Sequence, residues 1–323
     1  MEPLQSFESQ LFRDFTASPK KLIFWGAFGC ASLAAFVVLD SLLPQSAWWF
    51  FVGLSLTSGF LHGALDVVLL KREYPSPRRR GWAALLYLAA VVILGAVLAQ
   101  SWAFALFVLI AMSVWHFGEP YGRWGAHNVL LRAVVGGASV MLPVLLSPSA
   151  MPQIIRLLTQ NDAAHVDADL LWIIWRVFAF AWVALLPAAL AWLTMHKFKN
   201  AVALLTEIAA VVVLNLLLSP LMAFALYFGA YHSLTHISRV NAAQKNSNLR
   251  QMLPITVLVA SGVTGCLLGL LWWYLQGTNM HMGLGQQYDS ASVLRWLVVA
   301  LAAVTLPHLV LVSRCAYWLK TPA

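Results

Sequence analysis

Two histidines stand four residues apart in Tyr231-His232-Ser233-Leu234-Thr235-His236, at the end of a stretch that otherwise reads as a membrane span. On an α-helix, positions i and i+4 share one face, so both rings can reach the same metal ion. Imidazole is costly to bury in hydrocarbon, and an ionisable side chain placed there is a functional-site hypothesis by default. Three more histidines fall inside apolar runs: His62 in Leu61-His62-Gly63-Ala64-Leu65-Asp66, His116 in Trp115-His116-Phe117-Gly118-Glu119, and His308 in Leu306-Pro307-His308. The other four of the nine, His127, His165, His196 and His281, fall in connecting loops and read as solvated surface residues.

The elements that must position these rings are membrane helices. Of the 323 residues, 61% are hydrophobic and only 10% charged, and the mean hydropathy is +0.78. A soluble domain carries about 25% charged residues. The apolar runs are long enough for helices rather than barrel strands. The expected fold is all-α, a polytopic membrane bundle of about ten spans, at roughly 22–43, 47–70, 82–99, 101–118, 129–147, 169–195, 200–218, 219–237, 253–276 and 291–313. The third and fourth spans, and the seventh and eighth, are so tightly joined that each pair also reads as one broken hairpin, which sets a range of eight to ten. Residues 1–21 contain Glu2, Glu8 and Asp14 without an apolar core and read as a cytosolic segment rather than a signal peptide. Residues 22–313 read as one transmembrane domain and 314–323 as a cytosolic tail. The outer segment 147–168 is expected to hold a short interfacial helix.

Charge placement gives the orientation. With the N-terminus in the cytoplasm, all of the 20 lysines and arginines except Arg156, Arg176 and Arg295 fall on the inner side. That asymmetry is the positive-inside signature of a multi-pass protein of the inner (plasma) membrane. The net charge of +8 is therefore no sign of nucleic-acid binding. Cys30, Cys266 and Cys315 are far apart and form neither a disulfide framework nor a thiolate metal motif.

This topology aligns the five intramembrane histidines. All lie near the C-terminal ends of even-numbered spans, ends that share one side of the membrane. His62 precedes Lys71 by nine residues, about 13 Å of helix; His232 precedes Arg239 by about 10 Å and His308 precedes Arg314 by about 9 Å. Five imidazoles in one slab beneath the cytoplasmic face point to one metal centre with several neutral nitrogen ligands. Imidazole suits Fe, Cu, Zn and Ni. There is no Cys-x-x-Cys, no His-Glu-x-x-His and no glycine-rich phosphate loop. Ligating imidazoles usually donate their second N–H to a carboxylate or carbonyl. Asp66, one turn past His62, Glu119, three residues past His116, and Glu207, inside the seventh span, are candidates for that role.

These motifs resemble the Brp/Blh family of membrane β-carotene 15,15′-dioxygenases, which serve microbial rhodopsins. The resemblance rests on His62-Gly63-Ala64-Leu65-Asp66, Trp115-His116-Phe117-Gly118, Tyr231-His232-Ser233-Leu234-Thr235-His236 with Arg239 after it, and Pro307-His308, in that order over nearly the whole chain. It implies a non-haem Fe(2+) centre ligated by His62, His116, His232 and His236, with His308 outside the ligand set or in the substrate cavity. It implies cleavage of the central double bond of β-carotene by O2 to give two molecules of retinal. A long polyene that dissolves in the lipid bilayer would enter such a site sideways, and Trp115, Phe117, Tyr227 and Tyr231 are candidates to line its tunnel.

Two other metal readings fit less well. A di-iron desaturase needs about eight histidines in several boxes, and a b-type haem needs single histidines on facing helices rather than an i, i+4 pair. The remaining alternative is non-enzymatic: a membrane transporter, or a partner that handles carotenoid or retinal.

Overall fold

The computed structural model describes residues 19–43, 46–119, 129–159, 166–195, 201–242 and 290–315. Among the described residues the chain is helical, with no strands. In order the helices are α1 Pro19–Leu42, α2 Ser46–Leu54, α3 Phe60–Ala64, α4 Asp66–Glu73, α5 Pro77–Leu98, α6 Trp102–Phe117 and α7 Val129–Leu146. They continue with α8 Met151–Thr159, α9 Ala168–Met195, α10 Ala201–Leu217, α11 Pro220–Ala225, α12 Leu234–Ala242 and α13 Ser290–Cys315. The segment read as a ninth span, 253–276, and the four loop histidines lie outside the described residues.

Among the described residues, five helical stretches are long and apolar enough to cross a membrane: Phe50–Glu73, Pro77–Leu98, Val129–Leu146, Ala168–Met195 and Val293–Cys315. Cys30–Leu42, Trp102–Phe117 and Leu204–Leu217 are shorter apolar helices. The tight joints expected from the sequence are real. Ala99, Gln100 and Ser101 separate α5 from α6, where the Ser101 hydroxyl caps α6 by accepting from Phe104 N–H. Leu218 and Ser219 separate α10 from α11, and Asp40 of α1 accepts hydrogen bonds from both the backbone N–H and the hydroxyl of Ser219. A carboxylate from α1 thus ties down the residue that leads into α11.

The bundle has an inside and a lipid-like outside. Helix α7 is the most buried of the five long spans and packs on α6, α9 and α10. Helix α13 packs on α5 and α6. Helix α5 is almost wholly peripheral, with Trp82, Leu85, Leu86, Leu88, Val92 and Ile93 exposed. A continuous apolar face of that size suits hydrocarbon rather than water.

Two of the expected spans are not regular α-helices. Between α2 and α3 lies a π-helical turn, Ser55–Gly59, and Leu65 then forms a turn that separates α3 from α4. Between α11 and α12 lies a longer π-helical stretch, Leu226–Ser233. The two π segments pack against each other. Glycine makes this approach possible: a Cβ on Gly59 would strike the Phe228 ring, and one on Gly229 would strike the Leu54 and Ser58 side chains. Isolated π turns mark functional sites more often than chance, and two of the four histidine-bearing spans, those of His62 and of His232 and His236, carry one here.

A second glycine contact locks α6 to α7. A Cβ on Gly118 would collide with the Arg132 backbone, and one on Gly136 with the backbone at Val114 and Gly118. Backbone cannot yield as a flexible side chain can. Gly136→Ala should therefore lower the thermal unfolding midpoint in detergent, by a stability loss of about 1–3 kcal/mol. Gly53→Ala, where a Cβ meets nothing within 4 Å, should leave the midpoint in place. Equal midpoints for the two variants would contradict this packing.

Candidate metal centre

The five histidines converge in the interior. His62, on α3, His116, on α6, His232, in the π stretch, His236, on α12, and His308, on α13, are 2–9% exposed. The His62 ring centroid lies 4.9–6.0 Å from those of the other four. Each ring reaches the cluster because its helix is fixed there by something other than the histidine. The Gly118–Gly136 contact seats the end of α6, and the two π turns bring α3 and the His232 stretch together.

Within the cluster, one nitrogen from each of His62, His116 and His232 lies within 4.8 Å of the other two. His116 Nε2 and His232 Nε2 approach to 3.1 Å. Two nitrogens bound to one ion at about 2.1 Å, at a cis angle, would stand about 3.0–3.4 Å apart. His232 and His236 both contact His62 and His116, at different distances. Because the π stretch ends between them, His232 faces His116 with centroids 4.8 Å apart, whereas His236 packs on His62 at 5.2 Å and on His308 at 5.4 Å.

Hydrogen bonds behind the rings set the tautomers. The Ser233 hydroxyl donates to the Phe228 carbonyl at 2.8 Å, a bond that the wide π turn permits. Its oxygen lies 3.4 Å from His62 Nδ1, and the Gly59 backbone also hydrogen-bonds the His62 ring. His62 Nε2 is buried without a hydrogen-bond partner among the described residues, as are His116 Nδ1 and His308 Nε2. A buried, unbonded imidazole nitrogen costs on the order of 1–3 kcal/mol. A cation shared by His62 Nε2 and His308 Nε2 would remove that cost for those two rings. The donor set is all nitrogen and uncharged, which suits a divalent first-row transition metal and excludes the hard, oxygen-seeking Ca2+ and Mg2+.

The acidic candidates are placed differently from one another. Asp66 does not serve His62. The turn at Leu65 makes Asp66 the first residue of α4, and its Oδ1 accepts from His308 Nδ1–H at 2.8 Å. Its Oδ2 accepts from Tyr87 O–H at 2.7 Å. Glu207 is buried on α10 and accepts from the hydroxyls of Tyr227 and Tyr231, both at 3.2 Å. Glu119 is buried immediately after the Gly118 cap of α6.

The aromatic candidates divide. Phe117 meets His232 at a centroid distance of 4.6 Å and Tyr227 at 5.3 Å, both edge-on. Trp115 is 43% exposed, and the Arg132 guanidinium lies 3.7 Å over its ring while donating to its carbonyl. Tyr231 is 45% exposed. Three residues at the cluster carry little or no signal in the sequence. Tyr87 holds Asp66, Phe224 meets Phe117 at 6.2 Å, and Phe228 stacks on Phe224 and meets His62 edge-on at 6.0 Å. A hydroxyl inside the apolar span 82–99 is the one signal for Tyr87; nothing in the sequence distinguishes Phe224 or Phe228 from packing residues.

The profile of a family described as Beta-carotene 15,15'-dioxygenase matches residues 51–315. The chain is 24% identical over 274 residues to Beta-carotene 15,15'-dioxygenase of Uncultured marine bacterium 66A03, covering 82% of this chain and 92% of that protein. It is 25% identical over 339 residues to Probable beta-carotene 15,15'-dioxygenase Blh of Halobacterium salinarum, covering 92% of each. No solved structure matches the chain.

Alanine at His62, His116, His232 or His236 should each reduce the metal content of the purified protein about tenfold or more, with helical circular dichroism unchanged. Elemental analysis by mass spectrometry checks this. Full metal content in one variant would remove that histidine from the ligand set.

Proposed function

The chain belongs to the beta-carotene 15,15′-dioxygenase family, and from that premise we propose that it cleaves the central 15,15′ double bond of β-carotene. One carotene and one O2 give two molecules of all-trans-retinal, a supply for a microbial rhodopsin. The observation that carries this reading is the buried cluster of neutral imidazoles in an apolar helical bundle. We assign the metal as Fe(2+), held by His62, His116, His232 and His236. Bound iron supplies the means to activate O2 for attack on the alkene.

The protein's own residues hold and shield the reactants. Neutral imidazoles would hold the metal without cancelling its positive charge. Ser233 orients His62. Glu207, through Tyr227, steadies the aromatic wall that Phe117 shares with His232. Phe117, Tyr227, Phe224 and Phe228 offer an apolar surface against which a polyene lies without losing hydrogen bonds, and regiospecificity is then a matter of position. We place Trp115 and Tyr231, which are exposed, at the bilayer side of that wall rather than deep within it. Glu119 is assigned to support of His116.

The topology accords with the same reading. We propose a multi-pass protein of the inner (plasma) membrane, with about ten spans in a single domain over residues 22–313. Residues 1–21 and 314–323 are then cytosolic. The histidine layer lies toward the cytoplasmic side, and the substrate comes from the bilayer.

Expression in cells that accumulate β-carotene should bleach the orange colour and build up retinal, read by chromatography of solvent extracts. His62→Ala should leave the carotene intact. Persistent colour with the wild-type protein, at normal membrane levels and with iron supplied, would return the chain to the non-enzymatic alternative.

A further inference from the structure

We propose that His308 is itself a ligand of the metal, presented by an Asp66–Tyr87 pair; this rests on the reading of the histidine cluster as a metal centre. His308 is the most buried of the five histidines, 2% exposed. Its centroid lies 4.9 Å from both His62 and His116 and 5.4 Å from His236, closer to His62 and His116 than those two are to each other at 6.0 Å. His308 thus abuts three of the other four rings, beside the His62, His116 and His232 nitrogens that lie within 4.8 Å of one another.

The tautomer of His308 is fixed. Its Nδ1–H is given to Asp66 Oδ1 at 2.8 Å, so Nε2 carries a bare lone pair. On an imidazole ring Nε2 points away from Nδ1, and so away from Asp66. That Nε2 is fully buried and has no hydrogen-bond partner among the described residues. A carboxylate behind a histidine, with the other nitrogen left bare, is the arrangement that metal-binding imidazoles adopt, because it raises the basicity of the ligating nitrogen.

Asp66 makes the second, independent argument. It is 4% exposed, and a buried carboxylate demands a compensating positive charge. Its two oxygens are taken by His308 and by the Tyr87 hydroxyl at 2.7 Å. Neither is a permanent cation, and among the described residues no lysine or arginine head group is in ion-pair contact with it. A divalent ion held by His308 Nε2 would place a positive charge one ring away from Asp66. The structure thus assigns Asp66 to His308 as a positioning residue, and Tyr87 to Asp66. With His308 included, five imidazoles would hold the ion.

The test uses the full-length protein in detergent, loaded with Fe(II) and exposed to nitric oxide, which gives an electron paramagnetic resonance signal sensitive to the ligands. Wild type, His308→Gln and Asp66→Asn are compared for iron content, nitrosyl signal and the remote-nitrogen modulation of coordinated imidazole. We expect His308→Gln to lose modulation depth and shift the nitrosyl signal. We expect Asp66→Asn, which keeps its shape, to weaken iron binding about 10–100-fold. Wild type with iron but an unchanged spectrum in His308→Gln would overturn the assignment of His308 alone. Wild type that binds no iron would overturn the metal centre itself. Should His308→Gln fail to fold, Asp66→Asn decides: wild-type iron affinity in that variant overturns the proposal.

Discussion

The structure depends on one constraint: imidazole nitrogens buried in an apolar bundle must be given partners. Five rings meet at the centre of this chain. Some nitrogens are satisfied from behind, His62 by Ser233 and His308 by Asp66. The others turn inward, where His116 Nε2 and His232 Nε2 stand 3.1 Å apart and the Nε2 atoms of His62 and His308 are unbonded. Neutral nitrogens crowded together in low dielectric are unfavourable without a shared cation and stable around one. The chemistry we propose grows out of that arrangement, because the histidines that would hold an ion are buried inside a bundle with an apolar outer face.

Backbone devices make the convergence possible. Cβ atoms on Gly118 and Gly136 would strike backbone, so these two residues allow α6 and α7 to touch and carry His116 inward. Gly59 and Gly229 let the two π turns meet. A π turn adds a residue to a helical turn and rotates the remainder of the helix. With that rotation, His232 comes nearest to His116, at 4.8 Å, while His236 comes nearest to His62, at 5.2 Å, and also meets His308. It also brings the Ser233 hydroxyl within reach of the Phe228 carbonyl five residues before it.

Much of this is legible in the sequence, for a physical reason. A membrane helix has few ways to place a polar residue, so parity and distance from the inner loops are enough to put five histidines in one layer, and the structure joins them. Glu207 is legible on the same ground, as an acid in an apolar span that needs polar partners, which prove to be Tyr227 and Tyr231. Departures from regular geometry are not legible. Pairing Asp66 with His62 requires an unbroken helix from 47 to 70; the turn at Leu65 directs Asp66 to His308 instead. Tyr87 joins that pair from 21 residues away on a neighbouring helix, a contact that only packing creates. Trp115 and Tyr231 sit in the right motifs, but their side chains lie on the exposed side.

The central claim is that these histidines hold an iron ion in an all-nitrogen setting. X-ray absorption at the iron K-edge of the purified protein tests it most directly. The account predicts about one iron per chain, a nitrogen shell near about 2.1 Å with the outer-shell scattering of several imidazoles, and neither sulfur nor porphyrin features. An oxygen-only shell without imidazole scattering, or a purified active protein that holds no iron, would contradict it.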